Sequence, residues 1–171
     1  AGVQDFARKH GAMPGRGGAV IAMGSLGAGR LTATSDLDLI MVYDAGDIDM
    51  SDGRRPLPTR TYFARLTQSL ITALSAPMAE GRLYEVDMRL RPSGRQGPVA
   101  TSLVSFQDYQ RHQAWTWEHL ALTRARLVAG ETELCHHIEQ FRMELLAAKS
   151  GGARVLVDVA DMRQRIAAQK G

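Results

Sequence analysis

Asp36 and Asp38 lie in the stretch SDLDLIMVYD, residues 35–44, two carboxylates inside a run that otherwise reads as an apolar strand. Strand side chains two apart share a face, so both aspartates point one way while Leu37 and Leu39 point to the opposite, packed face. Neighbouring carboxylates repel and raise each other's pKa unless a cation stands between them. Oxygen ligands at a strand end, with positions left open for substrate phosphates, suit Mg2+. A second stretch, LYEVDMRLRP at 83–92, alternates with period two, which places Glu85, Asp87, Arg89 and Arg91 on one face and Tyr84, Val86, Met88 and Leu90 on the other. Paired beside the first strand, it would bring Asp87 to Asp36 and Asp38. Three carboxylates could hold two metal ions about 3.5–4 Å apart, the arrangement used for in-line displacement at phosphorus. Arg89 or Arg91 would then balance charge or touch a phosphate.

A half-exposed antiparallel strand alternates in the same way, and Ser-Asp ahead of a strand is ordinary turn chemistry, so the carboxylates alone leave both readings open. The preceding loop GSLGAG shifts the balance. Gly24, Ser25, Gly27 and Gly29 directly follow an apolar strand, where backbone N–H groups and a hydroxyl could cradle phosphate oxygens. The spacing matches neither the dinucleotide fingerprint nor a P-loop. The combination is what is specific: strand, Gly-Ser turn, Ser-Asp-x-Asp strand start, and a later strand aspartate.

The elements that must position these groups read as follows. Residues 3–10 form a short helix, the Gly/Pro-rich loop HGAMPGRGG ends it, and AVIAMG is a buried strand. A second strand runs from about Leu37 to Tyr43, and the acidic, aperiodic DAGDIDMSDGRRPLP is an exposed loop. Phe63, Leu66, Leu70, Ile71 and Leu74 predict an amphipathic helix over 59–76, with Thr59 as its N-cap, and Pro92 stops the third strand. The stretch from Ser102 to Gly130 reads as helical, broken near Ala114–Thr116 and ended by Gly130; another helix covers about Glu131–Ala148, and SGGA is a linker. Trp115 and Trp117 read first as core aromatics. Glu118, Arg124 and Arg126 stay open between packing and a cleft.

At 171 residues and 44 % apolar, the chain is sized for one core. No apolar run approaches the roughly 20 residues of a membrane span and no signal peptide opens the chain, so a cytoplasmic protein is expected. The net charge is +3, from 21 basic and 18 acidic residues, and the arginines are scattered, with no block that marks a nucleic-acid patch. Cys135 has no partner for an internal disulfide, and Cys135, His136 and His137 point in different directions on a helix, against a metal site there. The initial Ala1 and the amphipathic helix pattern running to Gly171 lead us to expect a piece of a larger protein.

Three segments, GSLGAGRLTATSDLDLIMVYD, LYEVDMRLRPSGRQGPVATS and AWTWEHLALTRARLVAG, together resemble the polymerase-beta type of nucleotidyltransferase. Within that superfamily they resemble the glutamine synthetase adenylyltransferase family, over about residues 20–130. The resemblance implies an α+β fold with a small mixed sheet, helices packed on one face, and C-terminal helices. It implies a catalytic domain over 1–150, with 151–171 as a linker and the start of a following helical region. The implied reaction moves AMP from ATP to a tyrosine hydroxyl of glutamine synthetase and releases pyrophosphate. Asp36 and Asp38 would bind both Mg2+ ions, and Asp87 would ligate one and lower the pKa of the incoming hydroxyl. Gly24, Ser25 and Gly27 would hold the triphosphate, with Ser35 and Arg89 also in the nucleotide site. LRPSG and AWTWEH resemble the AMP-adding half of this two-headed family. The family commonly has Gly-Lys-Leu-Gly where this chain has Gly24-Ser25-Leu26-Gly27, so a phosphate contact from that lysine is absent. Implied partners are glutamine synthetase and a PII signalling protein, with no nucleic acid and no membrane. The rival readings are phosphorolytic removal of AMP, a nucleic-acid nucleotidyltransferase, which should show a basic, aromatic-lined channel, and a non-catalytic nucleotide-sensing module.

Overall fold

The computed structural model describes residues 2–32, 34–76, 84–151, 156–161 and 164. The elements run α1 Gly2–His10, β1 Gly18–Ala22, α2 Gly24–Gly27, β2 Leu37–Tyr43, α3 Thr59–Leu74, β3 Val86–Asp87, β4 Ala100–Ser102, α4 Leu103–His112, α5 Thr116–Leu122, β5 Arg126–Gly130 and α6 Thr132–Ser150. Residues 156–161 are also helical.

The strands form one mixed sheet in the order β3-β2-β1-β5. β1 pairs antiparallel with β2, from Gly18↔Tyr43 to Ala22↔Leu39. β3 and β4 both run parallel to β2 along its other edge, β3 against Leu37–Asp38 and β4 against Met41–Tyr43. β5 closes the opposite edge against β1, with an irregular register that leaves Val128 as an extra residue.

The sheet is mixed, as expected, but helices cover both of its faces and not one. The reason is β2. Past Asp38 it has no polar residue, so a wet face is unavailable to it. Ile40 and Val42 pack with Ala19 and Ile21 against Phe106 of α4, Leu122 of α5, and Leu134, Ile138 and Phe141 of α6. Met41 and Tyr43 turn the other way, onto Tyr62, Phe63 and Leu66 of α3. There the Tyr43 and Phe63 rings stack with centroids 4.5 Å apart. Phe63 is fully buried, and truncation of such a side chain typically costs about 3–5 kcal/mol.

Four local expectations are corrected. The alternating stretch 83–92 keeps strand geometry only at Val86–Asp87, and Leu83 lies outside the described residues. Beyond it the chain turns, because the Arg91 guanidinium donates to the carbonyls of Met88, Arg95 and Gly97 and ties residues 88–97 into a loop. Residues 126–130 form β5 and not a helix end. Tertiary pairing with β1 decides this, and Gly130 lies so close to Ala19 that a Cβ there would collide with it. Thr59 is the first residue of α3, with Pro58 in the capping position; its hydroxyl instead donates to the Ile48 carbonyl at 2.6 Å. Trp115 and Trp117 are not core aromatics, being 71 % and 47 % exposed. They flank Thr116, whose hydroxyl donates to Asp158 in the last helical segment. The SGGA linker is described only at Ser150 and Gly151.

Candidate active site

β2 leaves the buried middle of the sheet at Asp38, and β3 lies beside it in parallel register with Asp38 opposite Asp87. Residues opposite each other in a parallel pair share a face, so the register itself sets the two carboxylates side by side. Asp36, two residues ahead on the same face, is exposed. Burial first, then the charges of Asp87 and Asp36, push the Asp38 carboxyl above its ordinary value, while Arg89 opposes them. Asp87 moves the other way. Its carboxyl is held low chiefly by hydrogen bonding to Arg89, whose backbone N–H donates to Oδ1 at 2.8 Å and whose guanidinium pairs with Oδ2. The sheet therefore brings together the three aspartates and Arg89.

The Gly24–Gly27 turn comes against this cluster. The Met23 N–H donates to the Asp38 carbonyl at 2.9 Å, anchoring the entry to α2. Gly24 has φ +54, and a Cβ there would collide with the Asp38 carboxylate, so only glycine lets the turn lie over that side chain. A Cβ on Gly27 would strike the carbonyls of Arg124 and Ala22. Ser25 is exposed on the turn, and its hydroxyl makes no hydrogen bond among the described residues. Ser35 is placed differently from the rest. Its hydroxyl accepts from the Thr32 N–H at 3.1 Å and meets the Thr32 hydroxyl at 2.8 Å, which closes the loop leading into β2.

A hard cation fits the aspartates in donor type, since all are oxygen ligands and Asp38 carries a repulsion that a cation would relieve. Among the described residues no group of three His, Cys, Asp or Glu side chains is arranged to hold a metal ion, and Asp87 is ion-paired with Arg89. The Arg89 side chain is 58 % exposed and free of the core, so rotating away to release Asp87 requires no repacking.

The residues left open in the sequence now separate. Glu118 is structural: its carboxylate accepts from the Trp115 N–H and the Tyr109 hydroxyl, both at 2.9 Å, and so starts α5 and ties it to α4. His119 beside it donates to the Gln110 carbonyl at 2.9 Å. Arg91 likewise serves its own loop. Arg124 and Arg126 instead border a groove of about 820 Å³ that begins at Gly27 and runs between β5 and α6. The sequence held a signal for this in TRARLVAG, where Ala125, Leu127 and Ala129 alternate with Arg124, Arg126 and Val128.

The sheet order, the turn between β1 and β2, and the aspartate register across β2 and β3 define a nucleotidyltransferase domain of the polymerase-beta type. A family model described as glutamate-ammonia ligase adenylyltransferase matches residues 3–141. The chain belongs to that family. It is 52 % identical over 168 residues to the bifunctional glutamine synthetase adenylyltransferase/adenylyl-removing enzyme of Xanthobacter autotrophicus, covering 97 % of this chain and 17 % of that protein. It is 53 % identical over 162 residues to the same enzyme of Agrobacterium fabrum, covering 94 % and 16 %. With that of Rhizobium meliloti the identity is 51 % over 169 residues, covering 98 % and 17 %. The chain thus spans about one sixth of the length of these curated relatives.

Proposed function

We propose that this domain transfers AMP from ATP to a tyrosine hydroxyl of glutamine synthetase and releases pyrophosphate. The observation that carries the reading is the register that sets Asp38 beside Asp87, with Asp36 on the same face and the glycine turn packed against Asp38. Family membership supplies the substrate class, and the carboxylates supply a chemistry that fits it.

Asp36 and Asp38 would hold Mg2+, and Asp87 would join them once Arg89 has moved aside. Bound there, Mg2+ would neutralise phosphate charge and orient the reacting groups. Gly24 and Ser25 offer backbone N–H groups and a free hydroxyl to the triphosphate, while the Gly27 N–H, donated to the Met23 carbonyl at 2.8 Å, holds the turn in shape. Asp87, beside the incoming tyrosine, accepts the hydroxyl proton as the phenolic oxygen bonds to the α-phosphorus. The bond from that phosphorus to the bridging oxygen breaks, and the electron pair leaves with pyrophosphate. Arg89, released from Asp87, would serve the phosphates as a counter-charge. Ser35 shapes the loop that leads to Asp36 through its bonds to Thr32. Residues 1–150 act as the catalytic unit, with 151–171 leading onward. Control by a PII protein and a cytoplasmic location belong to the same reading; no helix among the described residues is long and apolar enough to cross a membrane.

The test is transfer of label from α-labelled ATP, with magnesium, to purified glutamine synthetase by the wild type and by Asp36→Ala/Asp38→Ala. Label on a tyrosine with the wild type alone is expected. Equal labelling by a correctly folded double variant, or label that departs only when orthophosphate is added, would overturn the proposal.

A further inference from the structure

The groove beside β5 shares only Gly27 with the residues assigned above, and it differs from the aspartate cluster in charge. Glu139 is the only acidic residue in its lining, and Glu139 is ion-paired with Arg142 on its own helix. Arg124 and Arg126 have no carboxylate partner among the described residues. An exposed arginine is ordinarily just solvated. These two are distinguished by their attachment to the turn: Arg126 is paired with Ala22, the last residue of β1, and its Nη2 donates to the Leu26 carbonyl at 3.1 Å. The Arg124 backbone packs against Gly27 so closely that no side chain fits between them. Asp38 thus touches the first residue of the turn, and the arginines touch its last two.

We infer that Arg124 and Arg126 form a subsite for the polyphosphate end of the nucleotide and hold the pyrophosphate as it leaves. The inference rests on the proposed AMP transfer. Three helical residues separate Gly24 from Gly27, about 4.5 Å along the axis, a span that two linked phosphates bridge. A nucleotide whose α-phosphate lies at the aspartates therefore carries its remaining phosphates along the turn toward β5. The guanidinium fork pairs with phosphate oxygens bidentately and keeps its charge at any relevant pH. The groove is open to solvent beyond Gly27, so pyrophosphate has a way out that does not cross the aspartates.

The experiment measures binding of inorganic pyrophosphate, ATP and AMP, each with magnesium, to wild type, Arg124→Gln and Arg126→Gln. Glutamine at 126 retains a donor for the Leu26 carbonyl, which separates loss of charge from loss of structure. Loss of a hydrogen bond to a charged group predicts ATP and pyrophosphate binding weakened about ten- to a hundredfold, with AMP binding unchanged. Pyrophosphate affinity equal in wild type and both variants overturns the inference, as does a parallel loss of AMP binding. The label-transfer assay distinguishes the levels. Active wild type with unaltered pyrophosphate binding in the variants defeats the subsite alone, whereas wild type that binds neither ATP nor pyrophosphate defeats the subsite and the AMP-transfer reading together.

Discussion

The two ends of the Gly24–Gly27 turn face opposite charge, and they carry it in different ways. At the Gly24 end the carboxylates sit on β2 and β3, where pairing and the core fix the backbone and Asp38 is partly desolvated. At the Gly27 end Arg126 begins β5, an edge strand, Arg124 lies just ahead of it, and both are exposed. A group held by register acts in one position, so losing it removes a reaction step. A solvated group on an edge adds affinity in increments. On the proposed reading the inner strands would carry the chemistry, and the edge strand would tune what that chemistry receives and releases.

That contrast can be broken first at Asp87. Asp87→Asn keeps the shape and removes the proposed proton acceptor, so turnover should fall about a hundred- to ten-thousandfold in the label-transfer assay, against the smaller affinity loss expected for either arginine. Gly27→Val tests the turn that joins the two ends. Its side chain strikes the carbonyls of Arg124 and Ala22, and urea unfolding should show a loss of about 1–3 kcal/mol, the usual scale for overpacking. Asp38→Asn removes a carboxylate that burial and two neighbouring charges push up. It should abolish transfer while slightly raising Tm in the absence of magnesium, the opposite signs expected of a site kept for function.

Glu139 sharpens the basic side. Arg142 holds its carboxyl below the ordinary value, so the pair stabilises the folded state above the unfolded carboxyl's pKa, and that contribution is lost as pH falls through the folded one. Glu139 is 44 % exposed, so Glu139→Gln should cost less than about 1 kcal/mol at pH 7, and the difference from wild type should vanish in acid. The smallest effect belongs to Trp115→Ser. With that residue 71 % exposed, unfolding free energy should change by no more than about 0.5 kcal/mol; a large loss would show that the ring is buried.

The aspartates were legible because period-two alternation and the Gly-Ser turn are local patterns. Their neighbour Ser35 was legible as part of the same pattern, but its hydroxyl turned out to close the loop onto Thr32. β4 was missed because three residues carry too little pattern, and β5 because its alternation was read through the helix ahead of it. Trp115 and Trp117 misled for a related reason: residue type states a preference for burial, and only the packing of α5 shows which residues of that helix reach the core.

From the sequence alone came the three aspartates and the glycine turn, which rest on residue type and short spacing, and the family with its α+β architecture, which rest on the resemblance of three segments. The tertiary structure decided that Asp87 stands opposite Asp38, that helices cover both sheet faces, that Arg89 occupies Asp87, and that Arg124 and Arg126 meet the turn. Those contacts join residues far apart in the chain, up to Leu26 and Arg126. Their geometry follows from strand order and register, which local propensity does not encode and which the burial of β1 and β2 on both faces selects.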